Sequence, residues 1–121
     1  MTVRILIADD HKLVRAGLAM LIGEIPGYEV IAQADDGVSA LESAIGLKPD
    51  VVLVDINMPR MTGLELIRQI RYLNAEIPIL ALTTESEQRI REQGKIAGVD
   101  GWIVKPFRPA QFLDIVKQIS G

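Results

Sequence analysis

Short apolar runs alternate with helix-periodic segments from one end of the chain to the other, and this alternation restricts the possible folds more than any other feature. The runs are Val3–Ala8, Tyr28–Ala34, Val51–Asp55, 78–82 and 102–104. All but the second are nearly continuous in apolar residues, the pattern of strands covered on both faces. The second, Tyr-Glu-Val-Ile-Ala-Gln-Ala, mixes polar and apolar residues as an edge strand does. Between the runs, Val14, Leu18, Leu21 and Ile22 share one helical face, and so do Val38, Leu41, Ala44 and Ile45. Ile67 and Ile70 anchor a third helix. Phe112, Ile115, Val116 and Ile119 repeat at i, i+3, i+4, i+7 in the last. Thr62-x-x-Glu65 and Thr84-x-x-Glu87 read as capping boxes, Pro109 as a first helical residue, and Pro26-Gly27, Lys48-Pro49-Asp50 and Gly98 as turns. A helix over 85–97 has only Ile90 and Ile96 as large aliphatics and carries Gly94 inside it. Glycine there costs about 1 kcal/mol against alanine, so this helix is expected to be the loosest of the five.

The resulting order, βα five times over, implies an α/β fold: a doubly wound, five-stranded parallel sheet with helices on both faces and right-handed crossovers. At 121 residues the chain has the size of one domain, 1–121. A hydrophobic share of 49% is high for a small domain and suits strands buried on both sides. The formal charge of −3 argues against direct nucleic-acid binding through a basic face. No run of about 18 apolar residues predicts a membrane span, and no signal-peptide pattern stands at the start. The absence of cysteine removes disulfides and thiolate metal sites and fits a cytoplasmic location.

Ligands in doubly wound sheets lie at the carboxyl ends of the strands. Asp9-Asp10, Asp55, Thr83 and Lys105 follow the first, third, fourth and fifth runs, so the fold brings them to one edge. Each has an ordinary structural reading by itself: Asp10 as a helix cap, Asp55 as a turn former, Thr83 and Lys105 as solvated loop residues. Together they describe a site. Three converging carboxylates repel one another unless protonated or matched by a cation, and all-oxygen acidic ligation suits Mg²⁺ or Mn²⁺. Asp55, central among them, can act as a carboxylate nucleophile on a phosphoryl group. Lys105 and the Thr83 hydroxyl can neutralise or bond the equatorial oxygens. His11, the single histidine, is expected to be exposed in the first helical turn with no role as a general base. Met58 and Met61 are expected to pack. Trp102 is either a partly buried strand aromatic or a switching residue.

The segments Ile-Ala-Asp9-Asp10, Val-Asp55-Ile-Asn-Met-Pro59, Gly63, Leu-Thr83-Thr and Val-Lys105-Pro106-Phe, in this order, resemble the receiver domain of two-component response regulators, the CheY-like family. The resemblance covers essentially the whole chain and implies the strand order 2-1-3-4-5. It implies that Asp55 is the phosphoacceptor, that Asp10, Asp55 and the Asn57 carbonyl hold Mg²⁺ with Asp9 acting through water, that Thr83 is the switch hydroxyl that moves toward the phosphoryl group, and that Lys105 is the charge partner of that group. It also implies a cis Lys105–Pro106 peptide and a switch role for Trp102, where tyrosine or phenylalanine is more usual. Asn57 and Glu85, two residues past Asp55 and Thr83, would tune loss of the phosphoryl group. The output surface would be the face of the 85–97 helix, the last strand and the last helix. Residues 4–18 (RILIADDHKLVRAGL) resemble receivers of the NarL/FixJ type that precede LuxR-type DNA-binding domains, whereas 79–107 resemble stand-alone chemotaxis regulators. The implied partners are a sensor histidine kinase or histidine phosphotransfer protein, and either a downstream effector such as a flagellar switch protein or an output domain.

Two other functions use similar residues. A phosphatase of the haloacid dehalogenase type needs an acid two residues after its nucleophile. Asn57 stands there and cannot protonate a leaving group, and the acidic pair comes first in the chain rather than last. A flavodoxin-like cofactor carrier needs a phosphate loop after the first strand, where Asp9-Asp10 would repel a phosphate.

Overall fold

A computed structural model describes residues 2–56, 58, 60–74, 76–83 and 98–120. Five strands, β1 (Val3–Ala8), β2 (Tyr28–Ala34), β3 (Val51–Asp55), β4 (Ile79–Thr83) and β5 (Gly101–Val104), pair in parallel in the order β2-β1-β3-β4-β5. The described helices are α1 (Lys12–Gly23), α2 (Gly37–Leu47), α3 (Gly63–Leu73) and α4 (Pro109–Ser120). The doubly wound sheet and its strand order are therefore those expected. The helix expected over 85–97, with its Thr84/Glu87 box and Gly94, lies outside the described residues.

Alternate residues of each central strand feed two apolar layers. Leu6, Val52, Val54, Ile79 and Ala81 pack with Leu66, Ile67 and Ile70 of α3 on one face. Ile5, Ile7, Leu53, Leu80 and Leu82 pack with Leu18 and Ile22 of α1 and Phe112 and Val116 of α4 on the other. Every residue of β3 and β4 is buried, which explains their unbroken apolar sequences. β2 is an edge strand, as its mixed composition implies. Its register against β1 shifts between Ile5 and Leu6.

Three local readings change. β4 starts at Ile79 rather than Pro78, whose carbonyl only accepts from the Val52 N–H at 3.0 Å, and it ends by including Thr83. β5 begins one residue early, at Gly101. The buried side of α2 is Gly37 and Ala40, with Leu41 and Ala44 packed beside them, while Ile45 is 54% exposed. Small residues set this face because α2 runs close to the loop before α3: a Cβ on Gly37 would lie 2.3 Å from the Met61 carbonyl oxygen. Of the expected face, Leu41 and Ala44 pack inward and Ile45 does not. Met58 is buried in the core and Met61 packs against it.

Helix ends follow the local chemistry. The Thr62 hydroxyl caps α3 by accepting from the Glu65 N–H at 3.2 Å. Pro109 opens α4. Asp36 caps α2, accepting from Ser39 N–H at 2.8 Å, and Arg60 Nη2 reaches the same carboxylate oxygen at 2.9 Å. The Ser39 N–H is the main cause that holds the Asp36 carboxyl below its ordinary value of 3.8; burial opposes it, and the Arg60 guanidinium adds to the lowering. Its contribution to stability is thus complete above that ordinary value and is lost as pH falls through the lower folded one. Asp36→Asn, which keeps a capping side chain but no charge, is expected to be less stable than the parent at neutral pH. The difference should vanish in strong acid, as read by urea unfolding at a series of pH values.

Candidate functional site

β1, β3, β4 and β5 end along one edge, and their following residues meet there. The Asp9 N–H continues the β1–β2 ladder by donating to the Ala34 carbonyl at 3.0 Å, which aims the fully buried Asp9 side chain over the sheet edge. Its Oδ1 accepts from the His11 N–H at 2.9 Å, and Arg15 Nη1 donates to its carbonyl oxygen at 2.7 Å. Asp55 is the last residue of β3 and is also buried. Thr83 closes β4, buried, in register with Val104. The Lys105 N–H donates to the Thr83 carbonyl at 2.6 Å, which carries the β4–β5 ladder one step further. Lys105 Nζ consequently lies 2.6 Å from Asp9 Oδ2 and 3.7 Å from Asp55 Oδ2. The Lys105–Pro106 peptide is cis.

The repulsion inherent in the three carboxylates is answered inside the protein: the Lys105 ammonium stands between two of them. Lys105 contacts Asp9 more closely than Asp55, because Asp9 is turned inward where only a charge partner makes its burial tolerable. Asp10 points outward, its side chain 33% exposed. It does not cap α1. The cap residue is His11, whose side chain makes no capping bond. Gly63 at the start of α3 closes the back of the site: its N–H donates to the Ile56 carbonyl at 2.9 Å, and a Cβ there would lie 2.2 Å from the Asp55 carbonyl oxygen.

Donor atoms of Asp9, Asp10, His11 and Asp55 lie within 4.8 Å of one another. Carboxylates in this compass, one of them open to water, suit a hard divalent cation that keeps part of its hydration shell. Asn57 and Glu85 are outside the described residues. Trp102 is partly buried and packs against the layer beneath α2 and α3. Its indole Nε1 is buried and has no hydrogen-bond partner among the described residues, although buried tryptophans usually find one. The sequence reading missed the part His11 takes. The ring is exposed, as expected, but its Nδ1 lies 3.0 Å from Asp10 Oδ1 and 3.2 Å from Asp9 Oδ1. The available signal was its position directly after the acidic pair.

Residues 5–117 match the response regulator receiver domain family. The chain belongs to that family. As a receiver domain it is a signalling module of a response regulator and not a conventional enzyme. It is 35% identical over 117 residues to the response regulator GacA of Pseudomonas viridiflava, an alignment covering 97% of this chain and 55% of GacA. The chain spans about half the length of the curated relatives it matches. Its fold resembles a two-component response regulator of the LuxR family from Aurantimonas sp. SI85-9A1, with a TM-score of 0.93 and 32% identity over 99% of this chain and 86% of that one. It is also similar to the chemotaxis protein CheY4 of Vibrio cholerae, with a TM-score of 0.91 and 36% identity over 98% of this chain and 99% of the other. Both kinds of receiver suggested by the two halves of the sequence thus recur among its structural neighbours. No described helix is long and apolar enough to cross a membrane.

Proposed function

We propose that this receiver, one domain over 1–121, accepts a phosphoryl group on Asp55 and uses it to switch a protein surface. The observation that carries the reading is the Lys105 ammonium, 2.6 Å from Asp9 and 3.7 Å from Asp55, beside an open carboxylate at the sheet edge. An Asp55 carboxylate oxygen attacks phosphorus. The bond from phosphorus to the donor breaks, the donor leaves with the electron pair, and an acyl phosphate remains. Lys105 lies where it can neutralise one phosphoryl oxygen, and the Thr83 hydroxyl can bond another. Asp10, Asp55 and the Asn57 carbonyl, with Asp9 through water, are the residues to hold Mg²⁺ or Mn²⁺, which when bound offsets charge on the phosphoryl oxygens. Asn57 and Glu85 would set how fast water removes the group.

The donor is a sensor histidine kinase, a histidine phosphotransfer protein or a small phosphodonor, and the location is the cytoplasm. Thr83 directly precedes the 84–97 segment and Lys105 directly follows β5, so their movement toward the new charge would be transmitted to the surface beside β5 and α4, with Trp102 reporting or coupling that movement. The output is a downstream partner protein, as for a stand-alone chemotaxis-type regulator. A second reading, the receiver of a longer LuxR-type transcription regulator, is favoured by curated relatives about twice this length.

Incubation with a small phosphodonor and Mg²⁺ is expected to add one phosphoryl mass to the intact protein, and Asp55→Asn is expected to take up none. Equal uptake by that variant would overturn the assignment.

A further inference from the structure

Resting on the reading of the acidic site as a cation site, we propose that His11 makes it a mixed nitrogen–oxygen site, selective for borderline transition ions such as Co²⁺ or Zn²⁺ over Mg²⁺. The imidazole Nδ1 stands 3.0 Å from Asp10 Oδ1 and 3.2 Å from Asp9 Oδ1. Neighbouring ligands around a metal with bond lengths of about 2.1 Å are separated by about 3.0 Å in octahedral and about 3.4 Å in tetrahedral geometry. His11 Nδ1 and Asp10 Oδ1 therefore already stand at the spacing of adjacent coordination positions, with Asp9 Oδ1 beside them.

A hydrogen bond between Nδ1 and Asp9 Oδ1 holds the ring over the acidic pair, where a bound ion would take the place of the shared proton. His11 occupies the N-cap of α1, yet its side chain makes no capping bond. That side chain is 65% exposed, and still its Nδ1 faces the two carboxylates rather than water. The backbone is pinned by the His11 N–H to Asp9 Oδ1 bond at 2.9 Å. Lys105 takes the other oxygen of Asp9, which leaves Oδ1 on the His11 side. A neutral imidazole is a good ligand for zinc, cobalt and nickel and a poor one for magnesium, which prefers oxygen and keeps its waters. One ring nitrogen thus changes which ions the site prefers while leaving its oxygen ligands in place.

Metal titrations of the purified protein in a weakly alkaline, non-chelating buffer separate the possibilities. Co²⁺ binding is followed by its visible absorption and Mg²⁺ binding by calorimetry, for the parent, His11→Ala and His11→Asn. Asparagine is a good N-cap and keeps a polar group, so it guards against a variant that fails by losing α1. Both substitutions are expected to weaken Co²⁺ binding by about tenfold or more and to alter its absorption spectrum, with Mg²⁺ affinity changed by less than a factor of about two. Unchanged Co²⁺ affinity in both variants, or equal losses for Co²⁺ and Mg²⁺, would overturn the ligand role. A parent that binds Co²⁺ through His11 but never binds Mg²⁺ would uphold this inference and count against the Mg²⁺-dependent function proposed above. A parent that binds neither ion would refute both.

Discussion

Gly63→Ala is expected to be among the most disruptive single-methyl additions to this protein. The new Cβ would sit 2.2 Å from the Asp55 carbonyl oxygen and 2.6 Å from Ile56 Cα, both backbone atoms with no rotamer to escape into. Moving α3 away would break the Gly63 N–H bond to the Ile56 carbonyl and disturb the Thr62 cap. A loss of roughly 3 kcal/mol or more is expected, a large share of the stability of a small domain. The end of β3 carries Asp55, so any relaxation also displaces the proposed phosphoacceptor. Gly46→Ala provides the control. It lies in α2 with nothing within 4 Å of a new Cβ, and it should be neutral or stabilising by up to about 1 kcal/mol. Urea unfolding of both variants checks the contrast; equal midpoints would show that the close approach at Gly63 is not rigid.

Lys105→Met should destabilise the protein in chelator by roughly 3 kcal/mol. The change removes the cation from a fully buried Asp9 carboxylate and from the nearby Asp55 carboxylate while keeping most of the side-chain volume. A lone buried charge costs more than the pair contributes, which places the effect well above that of a surface ion pair. The same variant should gain from Mg²⁺. Lys105 and a divalent cation draw on the same carboxylates, so removing one strengthens the other's hold. A coupling of about tenfold in Mg²⁺ affinity is expected. Thermal unfolding in chelator and in a Mg²⁺ series measures both effects, since a ligand of the native state raises stability with its concentration. A variant as stable as the parent in chelator, with the same response to Mg²⁺, would show that Lys105 does not neutralise the pocket.

Much of this protein is legible residue by residue. Val51–Asp55 reads as a strand buried on both faces because Val51, Val52, Leu53 and Val54 point alternately into the two apolar layers. The repeated βα order fixes a parallel sheet, and a parallel sheet collects Asp9, Asp55, Thr83 and Lys105 at one edge whatever their separation in the chain. Local patterns were less reliable where close packing overrode them. α2 turned Gly37 and Ala40 inward, with the Met61 loop leaving no room for a side chain at Gly37, while Ile45 stayed exposed. Likewise Asp10, a good cap by residue type, ceded that position to His11 because Asp9 binds the His11 backbone instead.

By itself the sequence determined the class of fold, the edge at which the chemistry-bearing residues gather and their charge types, since periodicity and order along the chain govern these. Only the tertiary structure decided how the charges are shared out: Lys105 against Asp9 as well as Asp55, Asp10 turned to solvent, and the His11 ring placed over the acidic pair. Side-chain direction and burial at a strand end depend on which neighbouring strand continues the ladder and which helix begins beside it, and neither is encoded in the spacing of the residues that form the site.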